Sequence, residues 1–218
     1  MHFYEILEGF AKSDRHVFTT YEVAKVMGKS TAYASLMLHK SKKVTKIERG
    51  KYFIDGATPY EIASNIVFPS YVSLQAGLQY YGLIEQNVIR YSVIALKRRR
   101  PISMGPVSIE FIKASRELFF GYKNEQNAYI ASPEKLFIDC LYFGRVPADL
   151  LSEALKTAID EKILSIKLIE KYAMRIKNIT LNESLAALFG ELGIATRKMV
   201  VVPARKGAEK NRKIRVKA

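Results

Sequence analysis

Between Thr31 and Lys43 the chain sets small and hydrogen-bonding side chains at helical spacing beside a run of lysines. With Ser35 at the centre and 100° per residue, Thr31, Ala32, His39 and Lys42 fall within about 60° of it. Tyr33, Leu36 and Met37 fall on the flanks or far side, where a small core takes them, and Leu38 stands on the border. Short side chains toward base edges, with Lys or Arg at the margin for phosphates, are what a helix needs to enter the major groove. Thr31, Ala32, Ser35 and His39 are therefore the base-edge candidates. Lys29, Lys40, Lys42, Lys43, Arg49 and Lys51 are the phosphate candidates. An ordinary amphipathic surface helix carries the same two-sided pattern, so the neighbouring elements have to decide.

Those neighbours come in a telling order. Thr19 and Glu22 have the spacing of a capping box, each satisfying an orphan backbone N–H of a starting helix. That helix, Thr20 to Met27, turns Val23, Ala24 and Met27 inward. Gly28 supplies the left-handed position that ends it, and Ser30 or Thr31 caps the next helix. A short Gly-containing turn between two helices is the helix-turn-helix signature. Residues 44–54 then give two strand-like runs joined at Arg49-Gly50-Lys51, a hairpin with a basic tip. Phe3, Ile6, Leu7 and Phe10 repeat at helical spacing and predict a first helix packed behind the other two. Residues 1–58 thus read as a winged helix-turn-helix.

Charge points the same way. The chain has 35 Lys plus Arg against 21 Asp plus Glu, a formal net charge of +14. Residues 196–218 hold nine bases and one acid, including Arg205, Lys206, Lys210, Arg212, Lys213, Arg215 and Lys217. Without aromatics from Pro203 onward, this tail reads as disordered, either solubilising or tracking phosphates without sequence preference. A further cluster, Lys97, Arg98, Arg99 and Arg100, follows a strand-like run and is a solvated turn, a phosphate contact or a contact with an acidic protein. Such a bias predicts a polyanionic partner, nucleic acid before membrane, since no long apolar span accompanies it. A single cysteine, Cys140, inside an apolar run, predicts a buried thiol and a reducing, cytoplasmic setting. The N-terminus has no apolar core of a secretory signal.

After turn chemistry at residues 55–59, residues 59–195 predict a mixed α+β domain with several helices and a small antiparallel sheet. Helices are expected over 59–68, 70–83, 132–143, 148–159, 165–176 and 182–191, and strands over 88–96, 107–112 and 118–122. Catalytic chemistry finds no support. The histidines, His2, His16 and His39, lack metal-ligand spacing, and no phosphate loop or nucleophile elbow is present. Glu134 with Asp139, and Asp160 with Glu161, point about 140° and 100° apart on their helices rather than converging. No catalytic residue, metal or cofactor is expected. Glu134, Lys135 and Asp139 read as first-turn charges and a solvated face, or as a polar contact surface.

Three stretches resemble the AbiEi family, the antitoxins of type IV toxin–antitoxin systems: ERGKYFI with Arg49-Gly50-Lys51-Tyr52, SYVSLQAGLQYYGLI over 70–84, and IASPEKLFIDCLYF over 130–143. The similarity spans about residues 15 to 195. It implies an autorepressor that binds inverted repeats in duplex DNA, as a homodimer or as paired copies, and a second domain opposing a nucleotidyltransferase-like toxin. Thr31, Ala32 and Leu36 stand where the family carries more Arg, which shifts phosphate anchoring to Lys40, Lys42, Lys43 and the tail. A stand-alone regulator with an effector, and a protein-interaction module meeting an acidic partner, fit the same residues.

Overall fold

The computed structural model describes residues 2–194, so the basic tail from Arg205 to Lys217 lies outside the described residues. The chain opens with α1 (Phe3–Lys12), β1 (Val17–Thr19), α2 (Thr20–Met27) and α3 (Thr31–Lys40), followed by β2 (Val44–Glu48) and β3 (Lys51–Ile54). Thr19 and Glu22 close the predicted box: Thr19 N–H donates to Glu22 Oε2 at 2.7 Å, and Glu22 N–H donates to Thr19 Oγ1 at 3.2 Å. Gly28 ends α2 at φ 63°, and Ser30 caps α3 by accepting from Tyr33 N–H at 3.2 Å. Strands β1, β3 and β2 lie in that order in an antiparallel sheet, with β1 the one element here that sequence periodicity did not predict. Phe3, Leu7, Phe18, Val23, Ala24, Ala34, Leu38, Tyr52 and Ile54 form its core.

The rest of the described chain is mixed α+β, as expected, but its sheet is larger than expected and mixed rather than purely antiparallel. The elements are α4 (Pro59–Asn65), β4 (Ser70–Ser73), α5 (Leu74–Tyr80), β5 (Arg90–Ala95), β6 (Ile102–Met104), β7 (Val107–Lys113), β8 (Tyr122–Glu125), β9 (Ala128–Ala131), α6 (Pro133–Phe143), α7 (Ala148–Asp160), α8 (Ile166–Ile176) and α9 (Ile179–Glu191). Six strands run in the order β6-β7-β5-β4-β9-β8, and β5/β7 and β4/β9 pair in parallel. Parallel pairs need crossovers: the chain passes from β5 to β7 through β6, and from β4 to β9 through α5 and strands β5 to β8.

Two expectations over this region fail for identifiable reasons. The helix expected over 70–83 is a strand followed by a helix. Ser70 to Ser73 are all buried at the sheet centre between β5 and β9. Leu74 then takes a left-handed φ of 58°, which separates strand from helix. The strand expected over 118–122 is a 3₁₀ turn at Arg116–Leu118, and β8 starts only after Gly121, whose φ is 68°. There Phe119 and Phe120 pack over the interior instead of joining a ladder.

The two parts meet along α4. Glu61, capped into the helix by Thr58, is 2 % exposed. One carboxylate oxygen accepts from His16 N–H at 2.7 Å and Val17 N–H at 3.1 Å, and the other lies 3.1 Å from His16 Nδ1. Asn127 Nδ2 donates to Asp14 O at 2.8 Å, and Asn65 Nδ2 to Asn127 O at 2.7 Å.

Candidate nucleic-acid interface

Helix α3 is held by Ala34 and Leu38, both buried, with Met37 half-buried beside them. This rotates the free face by about 100° from the Ser35-centred expectation. Thr31, Ala32, Ser35 and His39 are all exposed. Directly opposite the buried line, however, stands Leu36, flanked by Ala32, Lys40, His39 and Tyr33. Tyr33 is 45 % exposed and Leu36 48 %. Both had been placed on the flanks or far side. Leu38, on the border of the Ser35-centred face, is 1 % exposed, and its burial together with Ala34 fixes the rotation of the helix.

A cationic rim surrounds this face. From Thr19 to Lys51 the sequence holds eight bases and two carboxylates, Glu22 and Glu48. Both carboxylates are half-buried and paired with bases of the protein itself. Glu22 pairs with Arg15 and Thr19; burial pushes its carboxyl up, but the Thr19 and Arg15 hydrogen bonds outweigh this and hold it below the ordinary value of 4.5. Glu48 pairs with Arg99 and lies 3.3 Å from Lys51 Nζ. Lys25, Lys29, Lys40, Lys42, Lys43, Lys46 and Arg49 are exposed, and none has a carboxylate partner among the described residues. Lys43 Nζ sits 5.3 Å from the Tyr4 ring, which aims it without neutralising it.

Lys51 is placed differently from the other phosphate candidates. Its ammonium donates to Ile66 O and faces Glu48, so it fastens the hairpin to the segment after α4. Arg49, at the hairpin turn with Gly50 at φ 78°, is the exposed base of the tip.

The basic stretch after β5 joins this surface. Arg99 reaches Glu48 on β2, and its guanidinium carbon lies 5.5 Å from the Phe111 ring. Lys97, Arg98 and Arg100 are exposed. A shallow hollow beside them is lined by Arg98, Arg99, Lys113 and Arg145, extending positive potential from the hairpin across the larger sheet. Sequence distance hides this juxtaposition: Glu48 lies in β2 of the smaller sheet, and Arg99 lies far along the chain in the loop after β5.

The charges of α6 are not on a surface. Lys135 and Asp139 have no exposure and form an ion pair one helical turn apart, and Glu134 is 9 % exposed. The solvated-face expectation is overturned, and the contact-surface alternative with it. Helix α6 packs against α5, α7, α8 and α9, so none of its first two turns faces water. Ser73 Oγ donates to Asp139 Oδ2 at 2.9 Å, and the Lys135 ammonium lies 5.5 Å and 5.2 Å from the Tyr71 and Phe120 rings. Burial pushes Lys135 below and Asp139 above their ordinary values, while each opposes the other's shift by pairing. Glu134 accepts from Ser165 N–H at 3.1 Å and so anchors the start of α8. Cys140 is buried, and burial pushes its thiol well up.

Among the described residues no group of three or more His, Cys, Asp or Glu side chains is placed to hold a metal ion, and no helix is long and apolar enough to cross a membrane. No protein-family model matches the chain, and a search of curated proteins finds no significant relative.

Proposed function

We propose that this chain is a transcriptional repressor whose residues 3–54 form a winged helix on duplex DNA, with α3 in the major groove and the β2–β3 hairpin along the phosphates. The observation that carries the reading is the pairing of an exposed α3 face with a rim of bases, the two carboxylates of that stretch being already paired with Arg15, Arg99 and Lys51. Residues 97–100, brought to the hairpin by the Arg99–Glu48 pair, lengthen the phosphate track. The AbiEi-like stretches favour an autoregulating antitoxin that acts against a nucleotidyltransferase-like toxin, with an inverted-repeat operator taking two copies.

The test is fluorescence anisotropy on the duplex upstream of this gene against a scrambled duplex of equal composition, across a salt series. Tighter binding to the native duplex that persists near physiological salt is expected. Equal binding that fades with salt would leave only nonspecific attraction by the tail and patches and would overturn the repressor reading. Co-expression with a neighbouring nucleotidyltransferase frame tests the antitoxin half: relief of growth arrest is expected.

A second reading is favoured by the exposed apolar residues Tyr21, Val26, Tyr33 and Leu36 on α2 and α3. They suit a protein partner with acidic margins. Binding that ignores DNA sequence would move this reading to first place.

A further inference from the structure

The DNA-binding reading above leaves open what α3 recognises. The chemistry of its outer face narrows the choice. From Lys29 to Lys43 the sequence contains no Arg, Asn or Gln, the side chains that make bidentate contacts to guanine and adenine in the major groove. Lysine occurs there only before the first helical residue, at the last one and beyond. The centre of its outward face is apolar, with Leu36 opposite the buried line, Ala32 one turn before it and the Tyr33 ring beside them, while the exposed Thr31, Ser35 and His39 stand at its flank and ends. The one base feature of the major groove that such a face recognises is the thymine 5-methyl group, which no other base carries.

We propose that α3 selects thymine-bearing base pairs, with Leu36 and Ala32 packing on thymine methyl groups while His39 and Ser35 supply single hydrogen bonds at the ends and flank of the contact. This rests on the winged-helix reading. Charge complementarity argues for a DNA occupant over a protein one. The apolar ridge has Lys40 beside it on the helix and Lys29, Lys42 and Lys43 at the helix ends, all exposed, which fits a groove whose walls are phosphates. Spacing is compatible as well. Four residues advance a helix by about 6 Å, close to two base-pair steps of about 3.4 Å. The preferred half-site therefore carries thymines about two steps apart.

The experiment uses the full chain. Duplexes are selected from a randomised pool. The enriched duplex, the same duplex with every thymine replaced by deoxyuridine, and a scrambled duplex are then compared by anisotropy near physiological salt. Removing one buried methyl is expected to weaken binding about fourfold, and two about fifteenfold. Leu36→Ala, at an exposed position that the core does not use, should bind more weakly and lose most of its discrimination between thymine and uracil. Enrichment of a sequence whose deoxyuridine form binds equally well would overturn the thymine proposal and leave DNA reading intact. So would a full uracil penalty retained by Leu36→Ala, which would place the effect in duplex shape. No enriched sequence would remove the DNA-reading assignment and this proposal together. If, in that case, Leu36→Ala also halves the particle mass in light scattering, the ridge is a self-association face instead.

Discussion

Lys135 and Asp139 illustrate how much one helical turn can hide. Two charges at i and i+4 on a helix usually lie on a solvated face, and sequence spacing offers nothing to distinguish this pair from the exposed kind. What buries them is the surrounding cover: Tyr71 and Phe120 over the ammonium, Ser73 on the carboxylate, and Gly121, where an added Cβ would stand 3.0 Å from Lys135 Cβ. None of these is near them in sequence except through the fold. Breaking such a pair leaves a buried charge uncompensated, so Lys135→Met or Asp139→Leu alone should cost about 3–5 kcal/mol in urea unfolding. The double variant should recover most of that loss, since well-packed apolar side chains replace a buried pair at little cost. If the double variant loses as much as the two singles added together, mutual compensation is not what holds the pair.

At the scale of elements, local signals were read correctly wherever chemistry was local. The capping box at Thr19 and Glu22, the left-handed Gly28 and the Ser132 cap with Pro133 all sit where their residue types require. Thr19→Ala should destabilise the protein by about 1 kcal/mol in thermal or urea unfolding. The pH dependence has a definite sign. Folded Glu22 titrates below 4.5, so its stabilisation is complete above that value and declines as pH falls through the folded value. Glu22→Gln keeps an acceptor for Thr19, gives up the Arg15 pair and does not titrate. The stability gap between wild type and this variant should therefore narrow progressively in melts taken as pH falls below 4.5. Elements set by distant partners were not legible. The β8–β9 hairpin turns on Gln126-Asn127, both at positive φ, with no glycine to announce it. Residues 70–73 were misassigned because a four-residue buried run matches helix and strand patterns equally. The parallel pairs of the large sheet leave no mark in sequence at all.

Across the whole molecule, Glu61 is the joint between the two parts. Its carboxylate serves the His16 and Val17 amides, so Glu61→Ala strands buried donors and should cost about 1–3 kcal/mol, with faster hydrogen exchange at Val17. Glu61→Gln, which retains an acceptor, should restore most of the protection. The Arg99–Glu48 pair sets residues 97–100 beside the hairpin, so removing Arg98 and Arg100 together should lower the salt slope of DNA binding by about 2 without changing which duplex is preferred. A slope that stays the same would put that cluster off the DNA. The division of labour along α3 has a consequence for descent. Ala34 and Leu38 keep the helix in place, while Ala32, Tyr33, Leu36 and His39 take no part in that task. On the proposed reading of α3, copies of this gene can diverge in the address they recognise by exchanging a few outward letters, with no repacking of the core.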